Sequence, residues 1–227
     1  MVADERSRRE QVLRAAVLAG DESAWQALYD ENFDALSGYV LWRSGGRGDW
    51  ADEIVQECWL TAVRRIRRFD PGRGTFLDWL RGIAANLVRN QVRRLRRRPQ
   101  QVPAEGTPVA DPGGGSPLED RETSTRIAAA LAALSDSHEA VLRAKYLDGR
   151  SVAEIAAAWS QTPKAVESLL GRAREKFREH YGLLTKETAV NRRERKERQE
   201  RHGQEGSEEK AGDALDARID RQADDRV

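Results

Sequence analysis

The stretch Thr75 to Arg98, TFLDWLRGIAANLVRNQVRRLRRR, constrains the fold more than any other part of the chain, because it reads as one helix with two unlike faces. Phe76, Leu77, Leu80, Ile83, Ala84, Leu87, Val88, Val92 and Leu95 recur at three-and-four spacing, which makes an inward apolar stripe. Asn86, Arg89, Asn90, Arg93 and Arg97 form a second stripe, turned away from the first at the same spacing. Thr75 followed three residues later by Asp78 marks the helix start as a capping pair. Guanidinium groups interleaved with amides suit a polyanion: arginine neutralises phosphate, and asparagine offers a donor and an acceptor together to a base edge. A solvated charged helix is the commoner fate of a charge run, but such helices mix signs and this one is nearly without acids.

Whole-chain charge hides this feature. The 227 residues carry 39 lysines and arginines against 38 acids, a net charge of +1, so the charges are segregated rather than in excess. Residues 64–98 are basic, residues 100–122 acidic, and the last stretch alternates sign. The chain holds a single cysteine, Cys58, which excludes an internal disulfide or a cysteine-based metal site; its place in an apolar helical row predicts a buried, inert thiol. The opening MVADERSRRE has no apolar run behind it, and no stretch is long enough to span a bilayer, so the expected compartment is the cytoplasm, without membrane insertion.

Strand signals are absent, so an all-α fold is expected, in four segments. Residues 1–98 form a first helical domain holding five of the six tryptophans. It contains a leader helix over 7–19, a helix capped by Asp21 with Trp25, Leu28, Tyr29, Phe33, Leu36, Tyr39 and Val40 inward, and a loop, SGGRG, whose glycines end it. A third helix capped by Asp49 carries Ile54, Val55, Cys58, Trp59, Ala62, Val63, Ile66 and Phe69 inward and Asp52, Glu53, Gln56 and Glu57 outward. Residues 99–122, rich in Pro and Gly, read as a flexible acidic linker; 123–184 are helical again; 185–227 form a charged tail, either disordered or a frayed, charge-laced helix. Most tryptophans fall in apolar rows and belong to the core; Trp79 lies beside the basic face and is a candidate to stack on a base.

Within the second domain, SVAEIAAAWSQTPKAVESLLGRAREKF (151–177) is a helix-turn-helix candidate. Ser151 with Glu154 makes a capping box, Trp159-Ser-Gln turns the chain, and Thr162 ahead of Pro163 starts a second helix with Val166, Leu169, Leu170, Ala173 and Phe177 inward. Lys164, Ala165, Glu167, Ser168, Gly171, Arg172 and Arg174 stay outside. That is the layout of a recognition helix: Lys164 and Ser168 toward base edges, Glu167 toward a cytosine amine, later arginines toward phosphates. Two amphipathic helices with a short turn are equally a plain helical hairpin, so the motif alone does not decide.

Together the two blocks resemble the bacterial RNA polymerase sigma factors of the extracytoplasmic-function (ECF) type, over roughly residues 12–181. ADEIVQECWL (51–60) is similar to their polymerase-binding helix, FDPGRGTFLDWLRGIAANLVRNQVRR (69–94) to their minus-ten loop and helix, and AALSDSHEAVLRAKYLDGRSVAEIAAAW with AVESLLGRAREKFR to their region four. The resemblance implies that Asp52, Glu53, Gln56 and Glu57 dock on the β′ clamp helices of core RNA polymerase. It implies that the loop from Phe69 through Arg73 to Thr75 holds a flipped base of the melted minus-ten strand, with Trp79, Asn86, Arg89, Asn90, Arg93 and Arg97 along that strand. Region four would sit on the β flap and read minus-thirty-five promoter DNA through Thr162, Lys164, Ala165, Glu167, Ser168, Arg172 and Arg174. The acidic linker would thread toward the RNA exit channel. An anti-sigma factor is a further partner of such proteins; no cofactor, metal or catalytic residue is implied. Ala165, Glu167 and Leu169 stand where members often carry Thr, Lys and Arg, which leaves the upstream sequence read by this helix open. The competing readings are a stand-alone helix-turn-helix regulator, an enzyme, for which no P-loop, nucleotide fingerprint or metal spacing is present, and a protein-interaction module.

Overall fold

A computed structural model describes residues 2–97, 117–190 and 193, and among them every regular element is helical. Most of the expected linker and nearly all of the expected tail lie outside the described residues. Residues up to Tyr181 form one compact unit and those from Gly182 a second. In the second, the described residues 182–190 are helical, with the Thr188 hydroxyl donating to the Leu184 carbonyl at 2.8 Å.

The first unit opens with α1 (Val2–Leu18), α2 (Glu22–Arg43) and α3 (Gly48–Arg65), the last followed by a 3-10 turn, Ile66–Arg68. Then come α4 (Phe76–Arg97), α5 (Pro117–Ala132), α6 (Asp136–Tyr146), α7 (Val152–Ala158) and α8 over residues 163–181. The start of α2 is held as expected: the Asp21 carboxylate accepts from the Ser23 hydroxyl (2.6 Å) and from the amides of Ser23 (2.9 Å) and Ala24 (3.4 Å), and these bonds, the hydroxyl's first, lower its pKa. α2 ends because Gly45 and Gly46 adopt φ of +68° and +85°, where a side chain is strained. The start of α3 departs from expectation. Arg47, not Asp49, stands at the cap; Asp49 lies in the first turn and pairs with the Arg47 guanidinium, which also covers the Trp50 ring at 4.0 Å. A carboxylate inside the first turn still meets the positive end of the helix dipole.

α1 to α4 close around one core. Leu28, Leu36 and Val40 of α2, Cys58 and Ala62 of α3, and Phe76, Leu80, Ala84 and Val88 of α4 are fully buried. The Cys58 thiol faces the Leu80 carbonyl at 3.4 Å, and burial pushes its pKa up to about 12, in line with an inert thiol. Two residues assigned inward by periodicity fall outside: Val63 is 54% and Tyr29 38% exposed. Val63 sits at the margin of the α3 stripe, whose neighbouring members Ala62 and Ile66 are buried.

The second group, α5 to α8, gathers Leu131, Leu134, Val141, Leu142, Ile155, Val166, Leu170 and Ala173 into its own small core. α5 begins at Pro117, so the last residues of the segment read as linker are helical. α6 is capped by Ser135, whose hydroxyl accepts from the His138 amide, and it ends at Leu147, before Gly149 at φ +67°.

Candidate nucleic-acid and polymerase interfaces

α4 is fixed at both its start and its inner face. The Thr75 hydroxyl accepts from the Asp78 amide at 3.1 Å and donates to the Asp78 carboxylate at 2.7 Å, as the capping pair predicts. A second partner was not legible: the buried carboxylate of Glu10, on α1, accepts from the Phe76 amide at 2.9 Å. An acid at a helix N-terminus satisfies an orphan donor and the dipole at once. Sixty-six residues separate the two, and no local pattern signals the pairing.

The loop before α4 is an Asx-type turn, with the Asp70 carboxylate accepting from the Gly72 amide at 3.0 Å and the Asp70 carbonyl from the Arg73 amide at 3.0 Å. Arg73 is exposed at its tip. Phe69 takes the inward place that its apolar row gives it, and not the open, base-facing place that the resemblance implies. Only 1% exposed, its ring packs edge-on against Phe76 (5.2 Å between centroids) and against Trp79 (5.5 Å). Its side chain anchors the loop and does not reach solvent; a phenylalanine next to a helix core gains more from burial than from exposure. Trp79 is half-buried in the same cluster, 5.6 Å from Phe76.

Along the outer face of α4, Asn86, Asn90, Arg93 and Arg97 are exposed. Asn90, Arg93, Arg94 and Arg97 line an open groove of about 650 Å³. Arg89 is the exception on this stripe: it donates to the Asn86 side-chain amide oxygen at 2.8 Å and pairs with Asp136 of α6 at 3.5 Å.

On α3, Asp52, Glu53, Gln56 and Glu57 are all exposed and share one face, and Glu57 also stands 3.9 Å from Arg64. Leu60, 51% exposed, lies one turn on from Gln56 and adds an apolar spot to this acidic strip. Periodicity alone did not single it out.

The helix-turn-helix forms as the motif requires. The Ser151 hydroxyl accepts from the Glu154 amide at 3.2 Å while the Glu154 carboxylate accepts from the Ser151 amide at 2.7 Å. Hydrogen bonding of the Glu154 carboxylate by the Ser151 hydroxyl, and then by the Ser151 amide, holds its pKa below the usual range. Ser160 turns the chain at φ +52°, and the Thr162 hydroxyl caps α8 by accepting from the Ala165 amide at 3.2 Å. Thr162, Lys164, Glu167, Ser168 and Arg172 are exposed; Ala165 and Arg174 are half-buried. Arg172 donates back to the Ser168 carbonyl at 3.4 Å, and Arg174 donates to the Tyr146 hydroxyl at 2.8 Å and stacks 5.7 Å above its ring. The outer face of α8 therefore presents four polar side chains ahead of two arginines already held within this group.

Among the described residues no cluster of histidine, cysteine and carboxylate side chains has the makings of a metal site, and no helix is long and apolar enough to cross a membrane.

Comparison with known proteins follows the same division. Residues 28–98 match the Sigma-70 region 2 family and residues 124–177 the Sigma-70, region 4 family. RNA polymerase sigma factor CarQ of Myxococcus xanthus is 32% identical over 173 residues, covering 75% of this chain and 96% of that protein. ECF RNA polymerase sigma factor SigL of Mycobacterium tuberculosis is 32% identical over 140 residues, 61% of this chain and 77% of that one. A solved structure of CnrH in complex with the cytosolic domain of CnrY matches 74% of this chain and 94% of that chain, with 27% identity and a TM-score of 0.42. Two sigma regions in order, and relatives matched over most of their length, settle the family: the chain belongs to the ECF sigma factors of RNA polymerase.

Proposed function

We propose that this sigma factor, acting in the cytoplasm as a non-enzymatic initiation factor, recognises two promoter elements at once while bound to core polymerase. The observation that carries the reading is the presence in one chain of three exposed faces of matched chemistry. An acidic strip on α3 (Asp52, Glu53, Gln56, Glu57) suits a basic protein partner, the β′ clamp helices. A cationic, amide-bearing strip on α4 (Asn86, Asn90, Arg93, Arg97) suits a single-stranded backbone and its bases. The α8 face (Thr162, Lys164, Glu167, Ser168) suits the edges of a duplex major groove.

On this reading the Asp70–Gly74 turn, with Arg73 at its tip and Trp79 behind it, receives a base flipped from the melted minus-ten strand, while Phe69 fixes the turn from beneath. Neither DNA-facing strip is large, so each binds weakly alone. Polymerase raises the effective concentration of the second for its element once the first is engaged. The β flap would seat α5–α8 upstream. An anti-sigma factor would fit the same exposed strips.

The test is run-off transcription by purified core RNA polymerase from a promoter library of the source genome, with and without the protein. Start-specific transcripts that depend on the protein support the reading. Their absence, with duplex binding by the protein alone, would replace it with a stand-alone helix-turn-helix regulator.

A further inference from the structure

Through most of its length α1 meets the rest of the first core by polar contacts, not apolar ones. Between Glu5 and Ala16 the single fully buried side chain is that of Glu10, and Val12 is 68% exposed. Three side chains of this helix, Ser7, Glu10 and Arg14, stand at the three-and-four spacing that aligns residues along one face. All three reach the same stretch of chain, the turn between α3 and α4. The Ser7 hydroxyl donates to the Pro71 carbonyl at 3.1 Å, and Arg14 donates to the Arg67 carbonyl at 3.1 Å. Glu10 accepts from the Phe76 amide with one carboxylate oxygen, while the other accepts from Arg6 at 3.2 Å.

Each of the three bonds goes to a backbone group, at places where the helices supply no partner. The carbonyls that end α3 and its 3-10 turn lack amides downstream, and the amides that begin α4 lack carbonyls upstream. The charges follow the helix dipoles: the Arg14 guanidinium lies at the negative end of the outgoing segment, and the Glu10 carboxylate at the positive start of the incoming one. No side chain of the turn is spent on these bonds, and Arg73 at its tip stays exposed. The consequence rests on the base-receiving role proposed above. A turn that takes in an unstacked base must hold its shape while that base gives up its neighbours. We propose that α1 is a brace for the minus-ten turn, with Glu10 its principal positioning residue: the row Ser7–Glu10–Arg14 fixes the backbone path from Arg67 to Phe76, and strand opening depends on that row without its meeting the DNA.

A brace of this kind supplies position more than cohesion. With any one of the three bonds removed, α1 stays docked through Val17, buried in the core, and through Arg9, paired with Glu31 of α2. The acidic strip offered to polymerase, Asp52 to Glu57, lies ahead of the turn on α3, and none of the three bonds reaches it. Loosening the brace therefore separates two properties that general unfolding would remove together, attachment to polymerase and capture of the melted strand. Glu10 has the largest share because its partner is a buried residue: without the carboxylate, the Phe76 amide is left a donor with neither helix nor water to accept from it.

The test compares the full-length wild type with Glu10→Ala and Glu10→Gln, each bound to core RNA polymerase on a promoter recovered by the run-off assay. Permanganate reactivity of unpaired thymines reads strand opening, titration of polymerase reads attachment, and amide hydrogen exchange in the unbound protein reads the turn. Glu10→Ala should bind polymerase as the wild type does. It should open about tenfold less promoter at equal occupancy and exchange the Phe76 amide about tenfold faster, the scale of one buried donor left unpaired. Glu10→Gln keeps an oxygen for the Phe76 amide and should restore both. If Glu10→Ala loses helical content, Ser7→Ala, which strands no buried donor, should still show a smaller loss of opening with attachment intact. Unchanged opening beside faster exchange would overturn the brace, as would opening and attachment that fall together without rescue by glutamine. A wild type that opens no promoter would overturn the proposed function instead, and unaltered exchange in Glu10→Ala would overturn the brace whatever the promoter result.

Discussion

α4 and α8 are both offered to DNA, yet they are held in opposite ways. α4 is buried along its length by Phe76, Leu80, Ala84, Val88 and Val92, its start is capped twice, and an aromatic cluster secures the turn before it. Over the recognition segment of α8 only Val166, Leu170 and Ala173 are buried, and Thr162 alone caps its start. The difference teaches what each helix is built for. Melting a strand and holding a flipped base requires a rigid surface that does not yield when bases stack on it. Reading a duplex already in regular form asks only that a few side chains be presented at the right pitch.

If that contrast is right, the costliest substitutions cluster beneath α4. Phe69→Ala removes a fully packed ring and should destabilise the protein by about 3–5 kcal/mol, as read by urea unfolding. Leu170→Ala, in the smaller core, should cost about 2–5 kcal/mol and sit toward the lower end. A near-neutral Phe69→Ala that nonetheless abolished promoter melting would mean the ring does leave the core to meet DNA.

Cys58 probes the same depth without altering a residue. With its pKa pushed up from 9.0 to about 12, the native thiol has about a thousandfold less thiolate at pH 8 than an exposed one, and alkylation should slow by a similar factor. The linkage has a definite sign. Above pH 9 an unfolded chain ionises this thiol while the folded chain keeps its proton, so the stabilisation present at neutral pH is lost as pH climbs toward 12. Prompt labelling at pH 8 would show that the first core opens far more readily than its packing implies.

Local chemistry was readable from the sequence and distant pairing was not. The capping interactions of Asp21, Thr75 with Asp78, Ser151 with Glu154, and Thr162 all form, because each lies within three residues of its partner. Glu10 at the head of α4 and Glu139 of α6 against Arg43 of α2 left no trace, since pairing across 66 or 96 residues depends on how helices stack. Phe69 carried two readings, inward by periodicity and base-facing by resemblance, and its ring takes the first. A loop-facing position in a motif does not say which way a ring turns, and the presence of Phe76 and Trp79 on the next turns decided it. Val63 shows the limit of periodicity at the margin of a stripe, for Ala62, Ile66 and Phe69 of the same row are buried while Val63, to one side of them, is not.

Smaller effects separate the two DNA strips by kind. Arg89→Ala with Arg93→Ala removes two cationic contacts from α4, so promoter affinity should fall by roughly tenfold at physiological salt. The fall should be similar across promoter sequences, and the slope of log affinity against log salt should flatten by about 1.4 if the contacts are to a single strand. A loss confined to particular promoters would show that these arginines read bases. Because Arg89 is already paired with Asp136 in the unbound chain, Arg93→Ala alone should account for more of the slope than Arg89→Ala alone.

Lys164 and Ser168 should behave otherwise. Both are exposed, one helical turn apart, on the face of α8 that would enter the major groove. Neither can make the planar two-bond contact of an arginine, so each should contribute toward the low end of the range for a base contact, about 1 kcal/mol. Lys164→Ala should therefore shift preference at one base pair of the upstream element by roughly fivefold, read by sequencing transcripts from a randomised minus-thirty-five library. Ser168→Ala should move a neighbouring position by less, since an uncharged hydroxyl makes the weaker bond. Glu167, between them and equally exposed, supplies the control. If its role is to accept from a cytosine amine, Glu167→Gln should weaken discrimination at that base while raising general affinity, because a repelling charge leaves the phosphate-lined groove. An unchanged preference in all three variants would remove base reading from α8, leaving it a positioning helix and α4 the sole reader of sequence.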